Sequence, residues 1–119
     1  MENLKALVID DEQIVLDSVK KILTAENYDV DVAQHGRKGI KMALKEAYDV
    51  VLTDIRMPDM DGFELLQQLK ALDERTQVVL MTGSVYEVDQ KLIRAIRERA
   101  FYYINKPFDR EVLLTLVER

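Results

Sequence analysis

Five side chains that could handle a phosphate group around a divalent cation follow short apolar segments of this chain. Asp10 and Asp11 come directly after the first segment, and Asp54 comes two positions after the third. Thr82 follows the fourth segment, and Lys106 stands two positions beyond the fifth. In an open parallel sheet, ligands bind at the carboxyl ends of the strands. The pattern therefore predicts one sheet edge that carries carboxylates, a hydroxyl and an ammonium together.

The elements that must position these side chains alternate between strand-like and helix-like apolar patterns. Apolar runs and alternating segments predict strands at 7–9, 28–32, 50–52, 77–81 and 102–104. Apolar residues at helical spacing predict helices at 14–23, 40–47, 65–72, 88–100 and 112–117. This alternation indicates an α/β fold with a doubly wound, five-stranded parallel sheet, because parallel strands need crossover helices on both faces.

The composition predicts one domain that spans residues 1–119. Hydrophobic residues make up 48% of the chain and charged residues 33%, which is enough apolar material for a continuous core. A net charge of −5 disfavours nonspecific binding to nucleic acid or to anionic lipid. Cysteine is absent, which excludes disulfides, and no apolar run approaches the ~20 residues that span a bilayer. Met1 leads almost directly into a strand, so we expect a cytoplasmic location.

The C-terminal end of the sequence bears on domain organisation. The last predicted helix runs to Arg119 without a glycine cap or a helix breaker. We therefore expect the chain to be a piece excised from a longer protein, with a natural C-terminus at Arg119 as the alternative.

A compensating cation is expected if the carboxylates of Asp10, Asp11 and Asp54 converge. At a separation of ~5 Å and an effective dielectric constant near 20, each pair of charges repels by roughly 3 kcal/mol. Oxygen ligands favour a hard ion, and Mg²⁺ typically keeps several waters while it bridges carboxylate to phosphate. Asp54 can then act as the nucleophile, because a carboxylate can accept a phosphoryl group as a mixed anhydride.

These motifs, taken in order, resemble the receiver domain of two-component response regulators. They are Asp10-Asp11, Asp54, the Met-Pro-Asp-Met-Asp-Gly segment at 57–62, Thr82-Gly83, Tyr103 and Lys106-Pro107-Phe108. The likeness covers essentially the whole chain. It implies a flavodoxin-like fold with strand order 2-1-3-4-5 and five flanking helices. It also implies a phosphorylation-dependent signalling switch, not an enzyme, that promotes only its own phosphotransfer and dephosphorylation.

The resemblance assigns a chemical role to several residues. Asp54 is expected to accept the phosphoryl group, while Lys106 and Mg²⁺ neutralise the developing charge. Thr82 is expected to donate its hydroxyl to a phosphoryl oxygen. The Lys106–Pro107 peptide bond is expected to be cis, which would aim the ammonium into the cleft, and an X–Pro bond is the least costly place for that isomer.

The resemblance also implies a metal site. Asp11, Asp54 and the backbone carbonyl of Arg56 are the expected protein ligands of Mg²⁺. Asp10 is expected to act mainly through metal-bound water.

The implied partners are a sensor histidine kinase or a phosphotransfer protein, which supplies a phosphoryl group from phosphohistidine. A small phosphodonor can take its place. Thr82 and Tyr103 are the expected switch residues, which change an output surface that regulates a partner or an attached effector domain. That surface consists of the predicted fourth helix, fifth strand and fifth helix, where a homodimer could also form. Neither direct nucleic-acid binding nor a membrane is implied.

Two functions from other classes remain open. A phosphohydrolase of the haloacid dehalogenase type also uses an aspartate nucleophile, Mg²⁺, a hydroxyl and a lysine, but it needs a second carboxylate where this chain has Arg56. A flavodoxin-like cofactor binder needs a Ser/Thr/Gly-rich phosphate loop after the first strand. That position holds Asp10-Asp11-Glu12, which repels phosphate unless a metal is bound.

Each candidate residue also has an ordinary structural interpretation when it is taken alone. Asp11 could cap the following helix, and Asp54 or Thr82 could belong to a turn. Lys106 could be a solvated charge, and His35 is expected to start the second helix at the surface. Only the joint placement at strand ends favours the phosphoacceptor site.

Overall fold

The computed structural model describes residues 3–83 and 102–118. Five strands lie within these ranges: β1 (Lys5–Ile9), β2 (Asp29–Ala33), β3 (Val50–Asp54), β4 (Gln77–Thr82) and β5 (Tyr102–Asn105). The helices of the described residues are α1 (Gln13–Ala25), α2 (Gly36–Lys45), α3 (Gly62–Leu69) and α4 (Arg110–Val117). The helix predicted at 88–100 lies outside the described residues, so α4 corresponds to the predicted fifth helix.

The strands form a five-stranded parallel sheet in the order β2-β1-β3-β4-β5. The predicted sheet topology is therefore confirmed. The central strand β3 is buried along its whole length, as expected for a parallel strand with helices on both faces. The edge strand β2 is only partly buried.

Two hydrophobic cores lie on opposite faces of the sheet. One core packs α2 and α3 against strand residues that include Leu7, Val51 and Leu80. The other packs α1 and α4 against strand residues that include Val8 and Leu52. Successive strand residues point to opposite faces, so each apolar run feeds both cores. This arrangement is the doubly wound fold, and it leaves the two ends of the strands as the accessible edges of the sheet.

The helix starts differ from the sequence prediction in a consistent way. The periodicity marked the second helix from residue 40 and the third from residue 65, whereas α2 begins at Gly36 and α3 at Gly62. The first turn of α2 consists of Gly36, Arg37 and Lys38, and that of α3 holds a single apolar residue, so the apolar pattern does not register either start. The start of α3 is fixed instead by Asp61, whose side chain accepts a hydrogen bond from the Glu64 amide at 2.9 Å.

The helix α2 lies unusually close to the end of β1. A Cβ atom built on Gly39 would lie 2.5 Å from Cδ1 and from Cγ1 of Ile9. Ile9 is fully buried and immediately precedes Asp10. The absence of a side chain at Gly39 therefore lets α2 approach the strand end that carries the acidic residues.

None of the helices in the described residues is long and apolar enough to span a bilayer.

Candidate functional site

Backbone hydrogen bonds just beyond the strands bring the predicted site residues to one edge of the sheet. The amide of Asp10, directly after β1, donates to the Ala33 carbonyl at 3.1 Å, and the amide of Ile55, directly after β3, donates to the Met81 carbonyl at 3.1 Å. The amide of Lys106, directly after β5, donates to the Thr82 carbonyl at 2.7 Å. The parallel hydrogen-bonding pattern thus continues one residue beyond β1, β3 and β5. It fixes the backbone position from which each functional side chain extends.

The ammonium of Lys106 lies among three carboxylates. Its Nζ atom is 2.7 Å from Oδ2 of Asp10, 3.4 Å from Oδ2 of Asp54 and 3.7 Å from Oε1 of Glu12. The side chains of Asp10 and Asp54 are 0% and 8% exposed, and that of Lys106 is 15% exposed. Charges this well buried are stabilised mainly by one another, since water screens them little.

Asp10 and Asp54 are oriented in the same manner. In each residue Oδ1 accepts a hydrogen bond from the backbone amide two positions later, from Glu12 at 2.9 Å and from Arg56 at 3.3 Å. In each residue Oδ2 faces the Lys106 ammonium. The two short turns therefore aim one oxygen of each carboxylate into a shared cleft.

The electrostatic environment opposes ionisation of both aspartates. Burial raises the pKa of Asp10, although hydrogen bonds from Lys106 and from the Glu12 amide act in the opposite direction. Burial also raises the pKa of Asp54, where the negative charge of Asp10 adds to the effect and the positive charge of Lys106 opposes it. Burial alone would lower the pKa of Lys106, but its bond to Asp10 and the charges of Asp54 and Asp10 raise it overall.

The site has a donor set suited to a hard divalent cation. Carboxylate oxygens of Asp10, Asp11 and Glu12 all lie within 4.8 Å of one another. Asp54 is joined to this group through the Lys106 ammonium. The Lys106 ammonium thus faces several carboxylates. All of their donor atoms are oxygens, and such a donor set fits Mg²⁺ better than a transition metal.

Glu12 was not among the site residues predicted from the sequence. The structure places it beside Asp11 in the close carboxylate group and 3.7 Å from the Lys106 ammonium. The run of three consecutive acidic residues after β1 was the available signal.

Thr82 and Tyr103 lie on one face of the sheet. Thr82 pairs with Asn105 and Leu80 pairs with Tyr103, so the two residues occupy diagonal positions on neighbouring strands. Thr82 is 3% exposed, whereas Tyr103 is 54% exposed. A buried hydroxyl at the strand end thus has an exposed aromatic residue beside it on the adjacent strand.

The segment after Lys106 turns back toward the core. The Lys106–Pro107 peptide bond is cis, and Phe108 packs against the core beneath α1 and α4. Asp109 then caps α4 by accepting a hydrogen bond from the Val112 amide at 2.9 Å.

The ordinary interpretation of Asp11 as a helix cap is wrong. The N-cap position of α1 is Glu12, and no side-chain cap is present there. Asp11 is exposed and lies in the carboxylate group instead. His35 does occupy the N-cap position of α2, where it also makes no side-chain cap.

The loop between β3 and α3 contains Asp59, which was placed in a family motif from the sequence without being assigned a role. Both carboxylate oxygens of Asp59 accept hydrogen bonds from the first turn of α2, from the Gly36 amide at 3.1 Å and from the Arg37 amide at 3.0 Å. Asp59 lies five positions after Asp54, and the loop closes in a turn in which the Met60 amide donates to the Met57 carbonyl at 3.3 Å. No local signal could reveal these bonds, because the partners lie more than twenty positions apart in the chain.

Comparison with known proteins identifies the domain. A family model described as the response regulator receiver domain matches residues 6–118. The Regulatory protein AtoC of Escherichia coli K12 is 35% identical over 97% of this chain and 24% of its own length. The Response regulator ArlR of Staphylococcus saprophyticus is 33% identical over 95% of this chain and 50% of its own length. The chain thus spans about a quarter of the length of the first relative and half of the second.

A solved structure has the same fold. The CheY-like response regulator receiver domain protein of Methanospirillum hungatei JF-1 superposes with a TM-score of 0.87 at 29% identity, over 98% of this chain and 91% of that one. These matches give no support to a phosphohydrolase of the haloacid dehalogenase type. The sheet order, the strand-end carboxylates and the family match agree, and the chain belongs to the receiver domain family of two-component response regulators.

Proposed function

We propose that this domain accepts a phosphoryl group on Asp54 and acts as a phosphorylation-dependent switch. The observation that carries the proposal is the orientation of the Asp54 carboxylate. Its Oδ1 atom is held by the Arg56 amide at 3.3 Å, and its Oδ2 atom faces the Lys106 ammonium at 3.4 Å, with both side chains largely buried. A nucleophile that is fixed beside a cation is what phosphoryl transfer requires, because alignment and charge neutralisation supply most of the catalysis.

The transfer exchanges one bond for another at phosphorus. An Asp54 carboxylate oxygen forms a bond to the phosphorus atom while the bond from phosphorus to the donor's leaving atom breaks. The leaving atom, a histidine nitrogen of a kinase or phosphotransfer protein or an acetate oxygen of acetyl phosphate, keeps the electron pair. The product is an acyl phosphate on Asp54, which water later hydrolyses to inorganic phosphate and the free carboxylate. The domain promotes both steps without turning over a separate substrate.

Asp11, Asp54 and the Arg56 backbone carbonyl are the proposed Mg²⁺ ligands, with Asp10 acting through water. The close oxygen group of Asp10, Asp11 and Glu12 supports a hard cation at this position. A bound Mg²⁺ would supply positive charge to the phosphoryl oxygens. Lys106 would supply a second positive charge, which its position 3.4 Å from Oδ2 of Asp54 supports.

Thr82 and Tyr103 are the proposed switch. An acyl phosphate would offer the Thr82 hydroxyl a charge-assisted hydrogen bond that exists only in the modified state. Movement of that hydroxyl would vacate space on the sheet face that also carries Tyr103. A contact of this kind, worth about 1.5–3 kcal/mol, shifts a conformational equilibrium by roughly ten- to a hundredfold.

The proposed partners are a sensor histidine kinase or phosphotransfer protein and an effector domain or protein. The proposed output surface consists of β5, α4 and the helix predicted at 88–100, which could also form a homodimer. The exposure of Tyr103 and Val112 supports an interaction surface on the described part of this face. We also propose that residues 1–119 are one receiver domain of a longer protein.

Labelling with a small phosphodonor tests the phosphoacceptor. Acetyl phosphate with Mg²⁺ should add one phosphate to the chain, as read by intact-mass spectrometry. The adduct should vanish in Asp54→Asn and when the metal is chelated. Asp31→Asn is the matched control, because Asp31 lies in β2 away from the cleft. Undiminished labelling of Asp54→Asn would overturn the assignment.

Coupling in the switch is tested separately with Thr82→Ala. This variant should still accept phosphate on Asp54 but lose much of the change in the NMR environment of Tyr103 on binding beryllofluoride. A full wild-type shift at Tyr103 in Thr82→Ala would show that the signal leaves the site by another route.

A further inference from the structure

The loop between β3 and α3 determines how Asp54 is presented. The Arg56 amide within it bonds Oδ1 of Asp54, and the Arg56 carbonyl is a proposed metal ligand. Displacement of this backbone by even a small distance would alter the carboxylate and the metal position together. The contacts that fix the loop therefore bear directly on the chemistry.

The helix α2 lacks a cap from its own neighbourhood. Its N-cap residue His35 has an extended backbone but makes no side-chain cap, and its first turn holds no acidic residue. The exposed amides at a helix start need acceptors. Asp59 supplies them from the loop, since its two carboxylate oxygens accept from the amides of Gly36 and Arg37 at 3.1 and 3.0 Å. These two bonds lower the pKa of Asp59.

The same loop packs closely on α2 at its first residue. A Cβ atom on Gly36 would lie 3.0 Å from Cε of Met57 and 3.3 Å from Cβ of Met60. Both methionines are buried. Beside this contact, the Arg37 guanidinium lies 3.1 Å from Oε1 of Glu64 in the first turn of α3. The loop is thus anchored against α2 by hydrogen bonds, by packing and by an ion pair to the helix that follows it.

We propose that Asp59 is a positioning residue that fixes the phosphoacceptor loop against α2 and so holds the Arg56 backbone in place for Asp54 and the metal. Asp59 does not touch the phosphoryl group or the cation. It acts through the turn at 57–60, whose rigid attachment to α2 limits the freedom of the Arg56 peptide. The inference rests on the proposed function, because it explains how that site is kept in shape.

The first test measures metal affinity and local protection without a phosphodonor. Asp59→Ala in the full chain should weaken Mg²⁺ binding about tenfold, which is the lower range for loss of a residue that orients metal ligands. In the metal-free chain, the Arg56 amide should exchange its hydrogen faster than in the wild type. Unchanged Mg²⁺ affinity and unchanged Arg56 exchange would overturn the proposal.

A second variant separates positioning from simple helix stability. Serine at an N-cap position accepts from the helix amides, and the backbone of His35 already has the extended conformation that this requires. Asp59→Ala combined with His35→Ser should therefore recover melting temperature but leave Mg²⁺ affinity low. Recovery of both together would show that Asp59 contributes stability alone, and would overturn the proposal.

A matched control removes a cap of the same chemistry elsewhere. Asp109 caps α4 through the Val112 amide and takes no part in the β3–α3 loop. Asp109→Ala should lower the melting temperature comparably while Mg²⁺ affinity and Arg56 exchange stay near wild type. An equal loss of affinity in Asp109→Ala would mean that affinity follows global stability, contrary to the proposal.

Failure of the proposed function gives a different result. If the wild-type chain neither binds Mg²⁺ nor accepts phosphate on Asp54, the proposed site is wrong whatever Asp59 does. If the wild type does both and Asp59→Ala equals it in affinity and in Arg56 exchange, the inference alone is wrong.

Discussion

Each end of the sheet places a lysine beside an acidic side chain, but water reaches the two groups differently. At the carboxyl end, Lys106 lies 2.7 Å from Asp10, with side chains that are 15% and 0% exposed. At the amino end, Lys5 lies 3.4 Å from Glu46, with side chains that are 39% and 54% exposed. Lys106 also faces three carboxylates, whereas Lys5 pairs with Glu46, so the two networks differ in burial and in charge density.

A tyrosine completes the network at the amino end. The Tyr48 hydroxyl donates to Asp31 at 2.7 Å and is 3.1 Å from Glu46, while the Lys5 ammonium lies 5.4 Å from the centre of the Tyr48 ring. Burial and the two carboxylates raise the pKa of Tyr48 far above its usual value, so the phenol stays protonated. The carboxylates there are hydrogen-bonded to this phenol, and Glu46 is about half exposed to solvent.

The comparison shows that similar residue types can have different consequences at the two ends of one sheet. At the carboxyl end, burial raises the pKa of Asp10 and of Asp54, so their charged forms are disfavoured in the folded chain. The same disfavoured charge is the basis on which we propose cation and phosphoryl binding at that end. The carboxyl-end carboxylates therefore lower the stability of the metal-free chain, whereas the amino-end network stabilises it.

The largest expected effect is removal of the central ammonium. Lys106→Met should lower the free energy of unfolding by about 3 kcal/mol at neutral pH without metal, because it leaves buried carboxylates without their partner. Lys5→Met, the matched change at the amino end, should cost less than about 1 kcal/mol. Urea denaturation measures both values. Equal losses would mean that burial does not distinguish the two networks.

Magnesium should stabilise the folded chain by binding at the carboxyl end of the sheet and not at the amino end. At a Mg²⁺ concentration about 100 times its Kd, the free energy of unfolding should rise by about 2.7 kcal/mol by mass action. Tyr48→Phe should retain the full increment, since Tyr48 lies in the amino-end network. Asp54→Asn should lose most of it. Thermal melts with and without metal provide the measurement, and a reduced increment in Tyr48→Phe would contradict the separation of the two ends.

Neutralising Asp54 should have a smaller effect of the opposite sign. Asp54→Asn should raise the metal-free free energy of unfolding by roughly 0.5–1.5 kcal/mol at neutral pH, the range of a single polar-group change. The pKa of Asp54 lies above its ordinary value of 3.8. Its contribution to stability is therefore greatest below that ordinary value and is lost as pH rises through the raised pKa.

The pH dependence provides the check on this sign. Urea denaturation at a series of pH values should show that Asp54→Asn loses less stability than the wild type as pH rises above 3.8, the ordinary value. Asp31→Asn, the amino-end counterpart, should not stabilise the chain, because Asp31 accepts the Tyr48 hydroxyl at 2.7 Å. Destabilisation by Asp54→Asn at neutral pH would show that Lys106 fully compensates its charge.

The smallest effect is expected from the tyrosine hydroxyl. Tyr48→Phe should lower the free energy of unfolding by about 0.5–1 kcal/mol, because water can replace the hydroxyl at Asp31 and Glu46. A loss well above about 1 kcal/mol in the same urea titration would contradict the view that water can replace the hydroxyl there.

The sequence was sufficient for the sheet and for the strand-end residues, but not for the contacts that orient them. Continuous apolar runs identify β1, β3 and β4, because a strand that is buried on both faces is apolar at nearly every position. The strand order followed from the family resemblance. The apolar pattern alone placed the starts of α2 and α3 too late, whereas the expectation that His35 starts the second helix was confirmed. The hydrogen bonds of Asp59 could not be predicted because its partners Gly36 and Arg37 lie on another element. Only the packing of the loop on the helix brings them together.

The close approach of α2 to β1 implies an evolutionary constraint. Gly39 leaves room for Ile9, whose branched side chain would meet a Cβ atom there at 2.5 Å. Among related sequences, a larger residue at position 39 should therefore occur with a smaller one at position 9. This pair should covary although neither residue carries any of the chemistry, and a mutation at one position should make a second mutation at the other tolerable.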